Sequence, residues 1–188
     1  MKILKLFSKI LIAGVFLLLA PNLVAQTNTT TQVLTMTIPQ VLLINAVDTT
    51  GTVASIALQL NTNIAGNEIT GGTGASYAQV SSIIASGQTR TIQASYDVLP
   101  AGTSLSVTGV LPNSGDGNGT YGTAVSSVTL STSAQDIFTG IGSCYTGTAS
   151  KDGYRLNWQW NAVGGSYSSI VATGGTSTTV TLTITAGS

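Results

Sequence analysis

The chain has 188 residues, six basic and six acidic, with no histidine and one cysteine, and charged residues make up only 6% of it. Once an N-terminal export signal is set aside, Arg90, Lys151 and Arg155 face Asp48, Glu68, Asp97, Asp116, Asp136 and Asp152, three against six or a net −3. Three scattered cations cannot supply the row of phosphate contacts that nucleic acid needs, nor a polybasic membrane patch, and the absence of histidine removes the usual base of a hydrolase and the commonest metal ligand.

The chain opens as a targeting segment. Lys2, Lys5 and Lys9 form a positive start, Ile10 to Ala20 is an apolar run, Pro21 ends it, and Leu23-Val24-Ala25 offers a small residue for cleavage. The run is shorter than the ~20 apolar residues that span a bilayer. Residues 1–25 are therefore expected to be a cleaved signal peptide. Residues 26–188 form one domain long enough for a proper core, exported to the periplasm, cell surface or medium without membrane insertion.

The mature part begins with "TMTIPQVLLINA", Thr35 to Ala46. Leu34, Met36 and Ile38 alternate as a strand does, and Pro39, which has no N–H to donate, interrupts it. Two outcomes are open. The chain crosses from one sheet to another at Pro39, with Val41 to Ile44 in the second. Alternatively the segment Leu34, Met36, Ile38, Pro39 is a strand-exchange element that leaves and adds to a neighbour's sheet edge.

Period-two alternation continues through Ile56, Leu58 and Leu60, then Ile92, Ala94 and Tyr96, then Leu105, Val107 and Gly109. Tyr154, Leu156, Trp158 and Trp160 share one face of a later strand, and Val180, Leu182 and Ile184 share a face of the last. Weaker strands are expected near Tyr77 to Ile84, Ala124 to Leu130, Gln135 to Phe138 and Tyr167 to Ala172. Turn chemistry separates them at Leu99-Pro100-Ala101-Gly102, Asn113 to Gly119, Lys151-Asp152-Gly153, Gly164-Gly165 and Gly174-Gly175. About nine short antiparallel strands in an all-β chain point to one immunoglobulin-like sandwich, with a closed barrel as the alternative.

The chemistry-bearing residues are sparse. Glu68 and Asp97 are the pair a glycosidase reading would use, but nothing in the sequence joins them, and no enzymatic activity or cofactor is expected. Ser114 to Thr120 places oxygen side chains at alternate positions, as calcium loops do. The twelfth position from Asp116 is Ser127, however, and a glycine-rich hairpin is the simpler reading. Cys144 stands alone, either as a buried thiol or as an intermolecular disulfide. The aromatic row ending in Trp158 and Trp160 reads as core, each tryptophan stabilising the fold by roughly 2–3 kcal/mol. Tyr77 and Tyr121 are the exposed aromatics a glycan would use.

Val-Ala before Gln26, the "TMTIPQVLLINA" start and the "GIGSCYTG" block together resemble small exported all-β proteins of uncharacterised function from flavobacteria and their relatives, over most of the chain. That resemblance implies no activity. The β-rich start and the final "TTVTLTITAGS" are also similar to subunits of fimbriae built with a periplasmic chaperone, with one cysteine here instead of a pair. This second resemblance implies an immunoglobulin-like domain that polymerises by donated strands. The expectation is an exported structural or adhesive surface protein that self-associates in a fimbria-like or matrix assembly. The alternative is a monomeric extracellular module binding a glycan or other ligand, assisted by calcium.

Overall fold

The computed structural model describes residues 29–53, 55–62 and 64–187. The expected signal peptide lies outside these residues, and among them no helix is long and apolar enough to cross a membrane. Residues 29–37 and Ile38–Ser188 belong to separate compact units. The first has no regular structure in its described part. Among its described residues the second is all β apart from one 3-10 turn, and all its ladders are antiparallel.

Eleven strands occur where about nine were expected: β1 (Val41–Val47), β2 (Gly72–Ile83), β3 (Thr89–Tyr96), β4 (Thr103–Val110), β5 (Asn118–Gly119), β6 (Thr123–Ala124), β7 (Val128–Thr129), β8 (Gln135–Ile141), β9 (Cys144–Tyr145), β10 (Tyr154–Ala162) and β11 (Val180–Gly187). They form two sheets and not a barrel. One has seven strands in the order β5-β9-β2-β10-β4-β7, with β1 also on β2, and the other has four in the order β11-β3-β8-β6.

Period-two sequences become buried faces wherever a partner strand is present. Ala78 and Val80 of β2, Ile92 and Ala94 of β3, Leu105 and Val107 of β4, and Tyr154 and Leu156 of β10 are all buried. Strand β8 departs from simple alternation because it carries two extra residues against β3. Ile92 pairs with Phe138 and Gln93 with Asp136, which skips Ile137, and a second slip lies between Arg90 and Ile92. The first bulge lets the adjacent Ile137 and Phe138 both be fully buried. The second falls at Gly140, whose φ of 69° suits only glycine. Gly109 of β4 makes room for this, since a Cβ there would lie 2.5 Å from Cζ of Phe138.

Three sequence expectations fail, each for a physical reason. Residues Ile56 to Leu60 keep the alternation of a strand, with 56, 58 and 60 half-buried and 57 and 59 exposed, but form no ladder. They lie over the face of β2 and not beside its edge: a Cβ on Gly72 would meet Gln59 N at 2.5 Å, and one on Gly74 would meet Ile56 Cγ2 at 2.4 Å. Ala124 to Leu130 is not one strand, because β6 pairs with β8 in one sheet and β7 with β4 in the other, so the chain changes sheets between them. Tyr167 to Ala172 is a 3-10 turn over Tyr167–Ser169, whose amides are used locally (Ser169 N to Ser166 O, Ile170 N to Tyr167 O).

Pro39 does not mark a crossing between sheets. Strand β1 begins after it, and no strand precedes it among the described residues.

Candidate functional site

Strand β10 builds the site by running along the interior. Of its inward side chains, Tyr154 and Leu156 are fully buried, Trp158 is 6% exposed and Trp160 is half-buried. All four do share a face, as expected, but the face is sealed at one end and open at the other. At the sealed end the Tyr154 ring lies 4.6 Å from Phe138 and edge-on to Tyr121 at 6.2 Å, and its hydroxyl donates to Tyr121 O at 2.9 Å. Burial pushes the Tyr154 phenol far above its ordinary pKa, so it acts as a neutral donor.

At the other end the two tryptophans border a cleft of about 510 Å³. It is lined by Ser76, Leu105, Trp158 and Trp160 of the seven-stranded sheet, by Val180 and Leu182 of β11 in the other sheet, and by Ile56 and Leu58. Gly72 and Gly74 of β2 leave room for residues 56–59 to rest on the sheet, and Ser76, further along the same strand, lines the cleft. Trp158 Nε1 donates to Ser76 Oγ at 2.8 Å within the interior. Trp160 Nε1 is buried and has no partner among the described residues. A buried indole N–H ordinarily finds an acceptor, and this one is enclosed by protein.

The rim is held by one carboxylate. Asp97 Oδ1 accepts from Thr179 N at 2.9 Å and Val98 N at 2.7 Å, while Thr178 Oγ1 donates to Val98 O at 2.9 Å. The Thr179 amide first, and then Val98, holds the Asp97 carboxyl below its ordinary range. Asp97 is therefore a structural clasp joining the β3–β4 turn to the approach of β11. Glu68 lies in the separate loop bridged by Asn61 and Thr70.

The other sequence candidates are accounted for one by one. Leu34, Met36 and Ile38 are 72, 86 and 80% exposed, in a segment without regular structure ahead of Pro39. Just beyond, the Gln40 side chain accepts from Nη2 of the buried Arg90 at 3.2 Å. Cys144 is a free, buried thiol on β9, and burial raises its pKa. A disulfide to another chain would require that strand to open.

Tyr77 is not an exposed aromatic. It is 8% exposed in the middle of β2, paired across to Val47 and Arg155. Tyr121 is half-buried and donates to Tyr145 O at 3.3 Å. In the Ser114 to Thr120 loop, Asp116 Oδ2 accepts from Asn113 N and Nδ2 at 3.0 and 3.1 Å, and Asn118 Oδ1 accepts from Gly119 N. These side-chain oxygens accept hydrogen bonds from within the turn. Among the described residues no group of three or more metal-binding side chains is present.

Sequence reading missed the cleft. A signal existed in "GGTGAS", where glycines two apart at the start of a strand mark the close approach of another backbone. Comparison with protein-family models and with curated proteins returns no match to this chain.

Proposed function

We propose that the chain is an exported, non-enzymatic structural or adhesive surface protein whose copies associate by β-strand addition through the segment before Pro39. The observation that carries this reading is the exposure of Val33, Leu34, Met36 and Ile38, at 90, 72, 86 and 80%. Four large apolar side chains held in water each forgo about 1.5–3 kcal/mol of burial. Pairing with another molecule would recover it.

The sheet edges fit the same reading. Strands β5, β6 and β7, each at a sheet edge, have two residues apiece and offer little to pair with. Strand β1, "VLLINAV", has seven uncharged residues, pairs with β2 alone as a strand, and leaves Leu43 64% exposed. Strand β11 pairs only with β3. Long uncharged edges without proline or a protecting charge are where sheets acquire further strands. In this reading the two sheets are an immunoglobulin-like sandwich, and the likeness to fimbrial subunits supports the assembly role.

Light scattering on residues 26–188 across a range of concentration tests it. Oligomers are expected, and they are lost when Gln26 to Ile38 is deleted. A monomer throughout overturns the proposal.

The cleft favours a second reading, a monomeric module that takes an uncharged ligand such as a glycan against Trp160. Retention on a glycan array, abolished by Trp160→Ala, is its expected signature.

A further inference from the structure

We propose that the tryptophan-lined cleft is the acceptor site, and that Val33–Ile38 of a second copy enters it as a strand beside Ser55–Leu60. This rests on the self-association reading and names where the donated segment goes.

Two segments of the chain have the alternation of a strand without the pairing. Ser55 to Leu60 presents Ile56, Leu58 and Leu60 inward, yet its backbone groups make no hydrogen bond among the described residues. Backbone amides and carbonyls ordinarily find partners, and a lone extended segment at the mouth of a cleft is an incomplete ladder. Leu34, Met36 and Ile38 present the same two-residue spacing and are exposed. Each segment supplies what the other lacks.

The chemistry of the cleft suits a peptide strand of this composition. Its lining holds no charged side chain, and neither does the stretch from Thr27 to Val47. Leu, Met and Ile side chains suit its apolar residues, and Thr35 and Thr37, pointing the opposite way, suit the hydroxyl rim of Thr176, Ser177 and Thr178. Such contact is head-to-tail: one surface of each copy meets a different surface of the next, so it propagates unless it closes in a ring.

The test mixes two preparations of residues 26–188, one Met36→Cys and one Leu58→Cys, under mild oxidation. A disulfide-linked heterodimer is expected. In parallel, Met36→Cys is mixed with Leu43→Cys on β1 or Thr183→Cys on β11. Oligomers that cross-link only to those edges overturn the cleft as acceptor while leaving self-association standing, and a chain with no oligomers overturns both.

The unaltered chain gives an independent readout, because Trp158 and Trp160 are its two tryptophans and both line the cleft. Their emission is expected to shift to the blue as concentration rises, and Met36→Glu abolishes the shift. Oligomers with unchanged emission, or emission that answers an added oligosaccharide but not protein concentration, overturn the proposal.

Discussion

The two ends of β10 carry the same kind of side chain, large aromatics on one inward face, in opposite circumstances. Tyr154 is fully buried against Phe138, and its one polar atom is paired. Trp160, six residues on, is half-buried with its polar atom unpaired among the described residues. The difference lies in what stands across from each. Tyr154 faces β8, whose first bulge lets Ile137 and Phe138 both be buried and whose ladder to β3 continues on either side of it. Trp160 faces a cleft walled in part by Ile56 and Leu58, which belong to a segment with no ladder at all. The strand face supplies apolar surface at both ends, but at the open end part of what lies across from it is a segment without a ladder. Close packing is thus concentrated at one end of the molecule, and the cleft lies at the other.

The largest effect that sharpens this contrast is Phe138→Ala, which removes the ring packed on Tyr154 and costs about 3–5 kcal/mol. Trp160→Ala, at the half-buried end, costs less than half as much despite the larger side chain. Urea denaturation of both variants measures the difference, and equal losses would erase the distinction between the ends.

A second contrast uses glycines on the two faces. A methyl at Gly109 runs into the fixed Phe138 ring, so Gly109→Ala costs about 1–3 kcal/mol by overpacking. At Gly74 the same methyl meets only the Ile56 and Leu58 side chains, whose segment has no ladder to hold it. Gly74→Ala is expected to stay below about 1 kcal/mol, overpacking being relieved by displacement, while speeding proteolysis within residues 55–60.

Ser76→Ala tests the hydrogen bond at the boundary between the ends. It leaves the Trp158 indole N–H buried and unpaired, a loss of about 1–2 kcal/mol, read by denaturation together with a change in tryptophan emission.

The smallest effect concerns acid. The native Asp97 carboxyl titrates below its ordinary value, so the stability it contributes is fully present above about pH 4 and is lost as pH falls through the lowered native value. Asp97 is exposed, which keeps the contribution small. Asp97→Asn is expected to flatten the acid limb of a stability-against-pH curve slightly, and an unchanged limb would show that the clasp adds nothing.

The residues themselves determined the all-β character and the positions and buried faces of β3, β4, β10 and β11, because alternation of apolar and polar side chains is local and has one geometric meaning, whereas β2 begins at Gly72, ahead of the expected Tyr77. Alternation does not say whether a strand finds an edge to pair with. Ile56, Leu58 and Leu60 repeat as regularly as Ile92 and Ala94, yet one segment lies on a sheet face and the other lies between two neighbours. That outcome was decided by Gly72 and Gly74, a dozen or more residues away, whose missing side chains let a backbone rest on the sheet. The division of Ala124 to Leu130 between two sheets, the burial of Tyr77 and the cleft beneath Trp160 are equally products of tertiary structure. Each depends on which distant strand lies opposite, and a backbone amide cannot record that until the sheets have come together.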